Sequence, residues 1–126
     1  DLDRIDIHIE VPKLDKSALD QKSPRNEDSQ TISKRVTRAY QRQLERAGKS
    51  NADLSSTEVD VHCCLDMKQR MLLEKAMDKL QLSARAYHRI LKLARTIADI
   101  SGSENIQQAH LTEAISYRSL DRFNNH

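Results

Sequence analysis

Glycine is almost missing from this chain: two residues, Gly48 and Gly102, in 126. No glycine-rich phosphate cradle can be assembled from them, and no GxxxxGK[ST] loop is present, so these residues alone are expected neither to bind ATP well nor to hydrolyse it. Proline is equally sparse at two residues, and aromatics make up only 3%. With 32% charged and 37% apolar residues, that composition favours helices over a sheet-based fold. Cysteine occurs twice, as the adjacent pair Cys63 and Cys64. Neighbouring cysteines bridge each other only with strain, which excludes a disulfide framework and fits a reducing cytoplasm. No apolar run approaches 18 residues, so no membrane span is expected. The net charge of +2, from 21 basic and 19 acidic residues, announces no nucleic-acid or membrane partner, so any basic surface must be local.

The chain is long enough for one domain with one core. It opens without an initiator methionine, as an excised piece would. Residues 1–12, "DLDRIDIHIEVP", alternate Ile5, Ile7, Ile9 and Val11 with Asp6, His8 and Glu10, the period of a strand with one apolar face. A lone strand cannot pair its backbone, so its sheet is expected elsewhere, as the last strand of a truncated core. Residues 13–28, "KLDKSALDQKSPRNED", read as a flexible linker.

From residue 29 the pattern turns helical. About Ser29 to Ala47 places Ile32, Val36, Ala39, Tyr40, Leu44 and Ala47 on one face, with Gly48 beyond. Ser55 with Glu58 forms a capping box flanked by Leu54 and Val59 at staple positions, so a short helix should run to about Cys63. Asp66 with Gln69 repeats the box for a helix to about Leu80 burying Leu72, Leu73, Ala76 and Leu80. Ser83 caps a helix whose stripe is Tyr87, Ile90, Leu91, Ala94, Ile97 and Ala98, ended by Gly102. A last helix, about Gln108 to Ser119, buries Leu111, Ala114 and Ile115. The expected fold is mainly α, a small helical bundle over 29–126 preceded by an orphan strand and a linker.

Chemistry-bearing constellations are few. "HCC" at residues 62–64 lacks the spacing of a zinc knuckle and has no second pair, so no metal site is assigned and the cysteines read as structural thiols. His8, His88, His110 and His126 are scattered, and no catalytic dyad follows from spacing. Arg35, Arg38, Arg42 and Arg46 line one side of the first helix, either a solvated face or a stripe that contacts nucleic-acid phosphates. Arg89 and Lys92 read as solvent-facing. Arg85 differs: it falls in a first helical turn, where the helix dipole opposes a cation by about 0.3–1 kcal/mol and a bound phosphate would reverse the sign.

"LDRIDIHIEVP" and "LSARAYHRILKLARTIADISGSENIQQAHLTEAISYRSLDR" resemble the C-terminal part of the magnesium-chelatase-related AAA+ ATPases of bacteria, the YifB/ComM type. The resemblance covers nearly the whole chain and is strongest at Leu2 to Pro12 and Leu65 to Arg122. It implies the last strand of an AAA+ core followed by the helical lid, with the phosphate loop and the Mg-binding acidic motif upstream. It implies that Arg4 is an arginine finger acting across a subunit interface, and that Arg85 is the sensor 2 arginine that touches ATP. The implied parent is an ATPase using ATP and Mg2+, partnered by its own core domain and by copies of itself in a ring, expected to be a hexamer, that acts on DNA. The fragment alone is expected to be non-catalytic and to bind no cofactor. A chelatase-like ATPase working on a protein or metal-insertion partner, and a stand-alone helical DNA- or protein-binding module, remain alternatives. Gln81 departs from the family pattern, which has Gly there, at a modest cost if the turn needs a positive φ.

Overall fold

The computed structural model describes the backbone of residues 23–124 and the side chains of residues 29–118. The expected strand, Arg4 and most of the expected linker lie outside the described residues. Among the described residues there are five α-helices and no strand: α1 Ser23–Ala47, α2 Ser56–His62, α3 Met67–Leu80, α4 Ala84–Ser101 and α5 Gln108–Asn124, with a 3-10 turn at Asn51–Asp53 between α1 and α2. The mainly α bundle expected from composition and periodicity is what forms.

Helix boundaries follow the capping chemistry. Both capping boxes are complete. Ser55 Oγ accepts from Glu58 N at 3.2 Å while Glu58 accepts from Ser55 N at 2.8 Å. Asp66 and Gln69 repeat this at 2.7 and 3.0 Å. The Ser55 N–H, together with Lys49 Nζ at 3.0 Å, holds the Glu58 carboxyl down at about 2. Ser83 Oγ accepts from Ala86 N at 3.2 Å and starts α4.

Helix ends follow backbone chirality. Gly48 and Gly102 adopt the left-handed region at φ +74° and +78°, as does Gln81 at +52°. After α3, Leu82 N donates to Met77 O at 3.0 Å; after α4, Ser103 N donates to Ala98 O at 2.8 Å. Both are Schellman turns, one built on glycine and one on glutamine. α1 begins at Ser23, six residues before the expected start, with Pro24 in the first turn, where a missing N–H costs nothing.

α4 is the axis of the bundle, packed against α5, α1, the 3-10 turn and α2, while α3 lies on α5. Its expected stripe is borne out, with Ile90, Leu91, Ala94, Ile97 and Ala98 buried and Tyr87 partly so. Leu73 of α3, Leu111 and Ala114 of α5, Ile106 of the α4–α5 loop, and Leu54, Val59 and Cys63 complete the core. Leu72, Ala76 and Leu80 are only half-buried. The expected face of α1 needs one correction. Leu44 is 40% exposed, and the neighbouring Gln43 is buried instead, because its Oε1 accepts the backbone N–H of Asn51 at 2.9 Å. A buried polar partner for that turn outweighs the burial of one more leucine edge.

Candidate functional site

Helix α4 carries the charged residues that matter, at opposite ends. At the C-terminal end Asp99 is fully buried, and its carboxylate takes a fork of bonds from Arg46 of α1, with Nη2 to Oδ1 at 2.5 Å and Nη1 to Oδ2 at 3.2 Å. Arg95, one turn earlier on α4, donates Nε to Oδ1 at 3.2 Å, and Asn51 Nδ2 donates to Oδ2 at 3.0 Å. The rest of the Arg95 guanidinium is spent on the α4–α5 loop, with Nη2 to Ser103 O at 2.9 Å and Nη1 to Glu104 O at 3.0 Å. Burial lowers the pKa of Arg95, and Asp99 opposes that shift. One carboxylate therefore ties α1, the 3-10 turn, α4 and the following loop together.

Arg42 adds a second tie, its Nη1 donating to the backbone carbonyl of Asp99 at 2.8 Å. That carbonyl belongs to the last turn of α4, where the helix dipole welcomes a cation. Thus Arg42 and Arg46, two members of the arginine row read from sequence, bond to the bundle, Arg42 while still exposed, whereas Arg35 and Arg38 are exposed and make no hydrogen bond or ion pair among the described residues. The open depression beside the tie, about 420 Å³, is lined by Arg42, Glu45, Arg46, Gly102, Ser103 and Glu104. Its two arginines are balanced by two glutamates, so it offers no net field for an anion.

Lys92 also departs from its solvent-facing expectation: it is half-buried and donates to Ala52 O at 3.1 Å. Beside it Thr96 Oγ1 accepts from Asn51 Nδ2 at 3.0 Å. This face of α4 grips the 3-10 turn. Cys63 is buried, and burial pushes its thiol up to about 12, a structural and unreactive group; Cys64 is exposed. Among the described residues no group of three or more His, Cys, Asp or Glu side chains could hold a metal ion. No described helix is long and apolar enough to cross a membrane.

The N-terminal end of α4 is different. Arg85 is exposed, sits in a first turn that holds no acidic residue, and makes no hydrogen bond or ion pair among the described residues. Arg89, one turn later, is also exposed, and between them His88 Nδ1 lies 3.1 Å from Ala84 O. Arg85 stands about 21 Å from Asp99 along the helix axis, at 1.5 Å per residue. The structure therefore does not bring Arg85 and the α1 arginines into one site.

Sequence reasoning missed Asp99, Arg95, Asn51 and Gln43. A signal for the first two was available: Arg95 and Asp99 are an i, i+4 ion pair flanked by Ala94, Ile97 and Ala98, so the pair had to lie at the edge of the buried stripe.

Among the described residues the chain is thus a five-helix bundle built around α4, with intact capping boxes at Ser55 and Asp66. The chain belongs to the family described as magnesium chelatase, subunit ChlI C-terminal, whose model matches residues 26–118. Within it, the chain is a ComM/YifB-type C-terminal region. It is 49% identical over 121 residues to the competence protein ComM of Haemophilus influenzae, 43% to YifB of Salmonella typhimurium and 44% to YifB of Escherichia coli. Each match covers 96% of this chain and 24% of the relative's length.

Proposed function

We propose that this chain is the lid of an AAA+ ATPase, in which Arg85 senses bound ATP and couples its hydrolysis, in a ring of subunits expected to be a hexamer, to the remodelling of DNA. The observation that carries the reading is Arg85 itself. It is exposed, and without a partner among the described residues, in a first turn that holds no acidic residue, where the helix dipole disfavours it. A phosphate at that position would turn the cost into a gain. The guanidinium is permanently charged and its fork matches two phosphate oxygens, the requirement for stabilising a γ-phosphoryl group in transfer. ATP and Mg2+ would be held by the phosphate loop of the core domain, and Arg4 would serve a neighbouring subunit as its arginine finger. DNA as the client follows from the resemblance to competence proteins.

Replacing Arg85 by Ala in the full-length protein should lower ATP turnover about 10- to 100-fold, the equivalent of about one charge-assisted hydrogen bond. The helical circular-dichroism signal should stay unchanged. Wild-type turnover in that variant would remove the sensor assignment. The family's description as a magnesium chelatase subunit favours a second reading, an ATPase acting on a metal-insertion partner. Stimulation of hydrolysis by a protein partner and not by DNA would select it.

A further inference from the structure

The arginine row of α1 is divided by the structure into two parts with different fates. Arg42 and Arg46 are turned onto Asp99, and with Gln43 and Ala39 they mark the part of α1 that the bundle holds. Ahead of them no side chain from residue 29 to 38 is fully buried. Lys34, Arg35 and Arg38 are exposed there, and none makes a hydrogen bond or ion pair among the described residues. Between residues 29 and 44 the sequence holds four basic residues and no acidic one. At about 100° per residue the three free cations share an arc of about 100° on the helix surface. Gln41, also exposed, supplies a neutral hydrogen-bonding group beside the same arc, about 20° from Lys34.

We infer that Lys34, Arg35 and Arg38 form a docking face for the sugar-phosphate backbone of DNA, a partner that rests on the DNA-remodelling reading above. Charge complementarity selects the occupant. The three cations fall within about 6 Å of helix axis, and one DNA strand presents a phosphate every 3.4 Å or so along its own axis, so two or three phosphates lie within reach of the three side chains. Contacts of this type position a duplex without reading its sequence. The Asp99 tie gives the face its rigidity. Because Arg42 and Arg46 fix the far end of the same helix, the cations are presented on an ordered scaffold, and little ordering cost is left to meet on binding. Lys34 thereby enters the row, and Arg42 and Arg46 leave it for an internal role.

The test is fluorescence anisotropy of a labelled DNA duplex titrated with the 126-residue chain between 50 and 200 mM salt. Three phosphate contacts predict a slope of log affinity on log salt near −2.7, a fall of about 40-fold over that range. K34Q/R35Q/R38Q should flatten the slope by about 2 to 3, while K68Q/R70Q/K75Q on exposed positions of α3 should leave it unchanged. Glutamine keeps helix propensity, so the variant folds, and circular dichroism verifies it. An unchanged slope in the α1 variant, no binding by the wild-type chain at 50 mM salt, or displacement of the duplex by poly-glutamate as readily as by unlabelled duplex would each overturn the inference. DNA stimulation of ATP hydrolysis in the full-length protein separates the two readings: stimulation that survives K34Q/R35Q/R38Q sinks this face alone, whereas a wild-type enzyme indifferent to DNA sinks the client.

Discussion

The two ends of α4 obey opposite rules. At the C-terminal end a glycine takes the left-handed position, φ +78° at Gly102, and arginines gather where the dipole is negative. The buried acid there is held by Arg46, Arg95 and Asn51. Just ahead of the N-terminal end, where α3 closes, a glutamine takes the left-handed position, φ +52° at Gln81, and in the first turn of α4 an arginine stands without a partner among the described residues, where the dipole is positive. One end is explained by the fold. The other breaks two local rules within five residues: the Gln81 turn is held by its own Schellman bonds, whereas Arg85 has no partner among the described residues, the observation on which the proposed phosphate contact rests.

The largest effect should come from the satisfied end. Asp99→Ala leaves two guanidinium groups without their anion, Arg95 of which is only 5% exposed, and should cost about 3–5 kcal/mol in urea unfolding of the chain. A loss under about 1 kcal/mol would mean that Arg46 and Arg95 find water, and the two ends of α4 would then differ less than their geometry indicates. The two turns give a smaller and signed comparison. Gly102→Ala should cost about 1 kcal/mol, because a Cβ at that φ strains the backbone; the nearest atom, Arg42 Nη1 at 3.6 Å, is an ordinary contact. Gln81→Gly should gain about 0.5 kcal/mol, the relief of the same strain less the extra entropy of glycine in the unfolded chain. Equal signs at the two positions, read by the same urea curves, would break the symmetry argument.

How much of this was legible beforehand depended on the range over which each signal acts. Ser55, Asp66 and Ser83 act on backbone groups three residues away, so sequence placed α2, α3 and α4 within a residue or two. The positive φ suspected at Gln81 is also local, and it is present. The Asp99 tie was not legible, because Arg46 and Asn51 lie 53 and 48 residues away in the chain, and nothing in a helical period shows which arginine of a polar row will meet a distant carboxylate. Leu44 failed for the same reason. Its helix face was chosen by apolar character, while the structure chose Gln43 for a hydrogen bond to the loop that follows. Arg85 stands between these cases: its awkward position is local and readable, but the reading of what it touches came from resemblance.

The smallest predicted effect separates stability from function most cleanly. Arg85→Gln should raise the stability of the chain by about 0.3 kcal/mol and Arg85→Glu by about 1 kcal/mol at low salt, since a carboxylate in the first turn gains from the dipole what the arginine loses. Both gains should shrink in 0.5 M salt, where exposed charges are screened over a few ångströms. The opposite sign, a destabilised Arg85→Glu chain, would show that the guanidinium already serves the bundle and that both ends of α4 are structural. The expected sign makes Arg85 a residue retained at the expense of stability, and under the proposed ATPase reading the turnover of the full-length variants measures what that retention supplies.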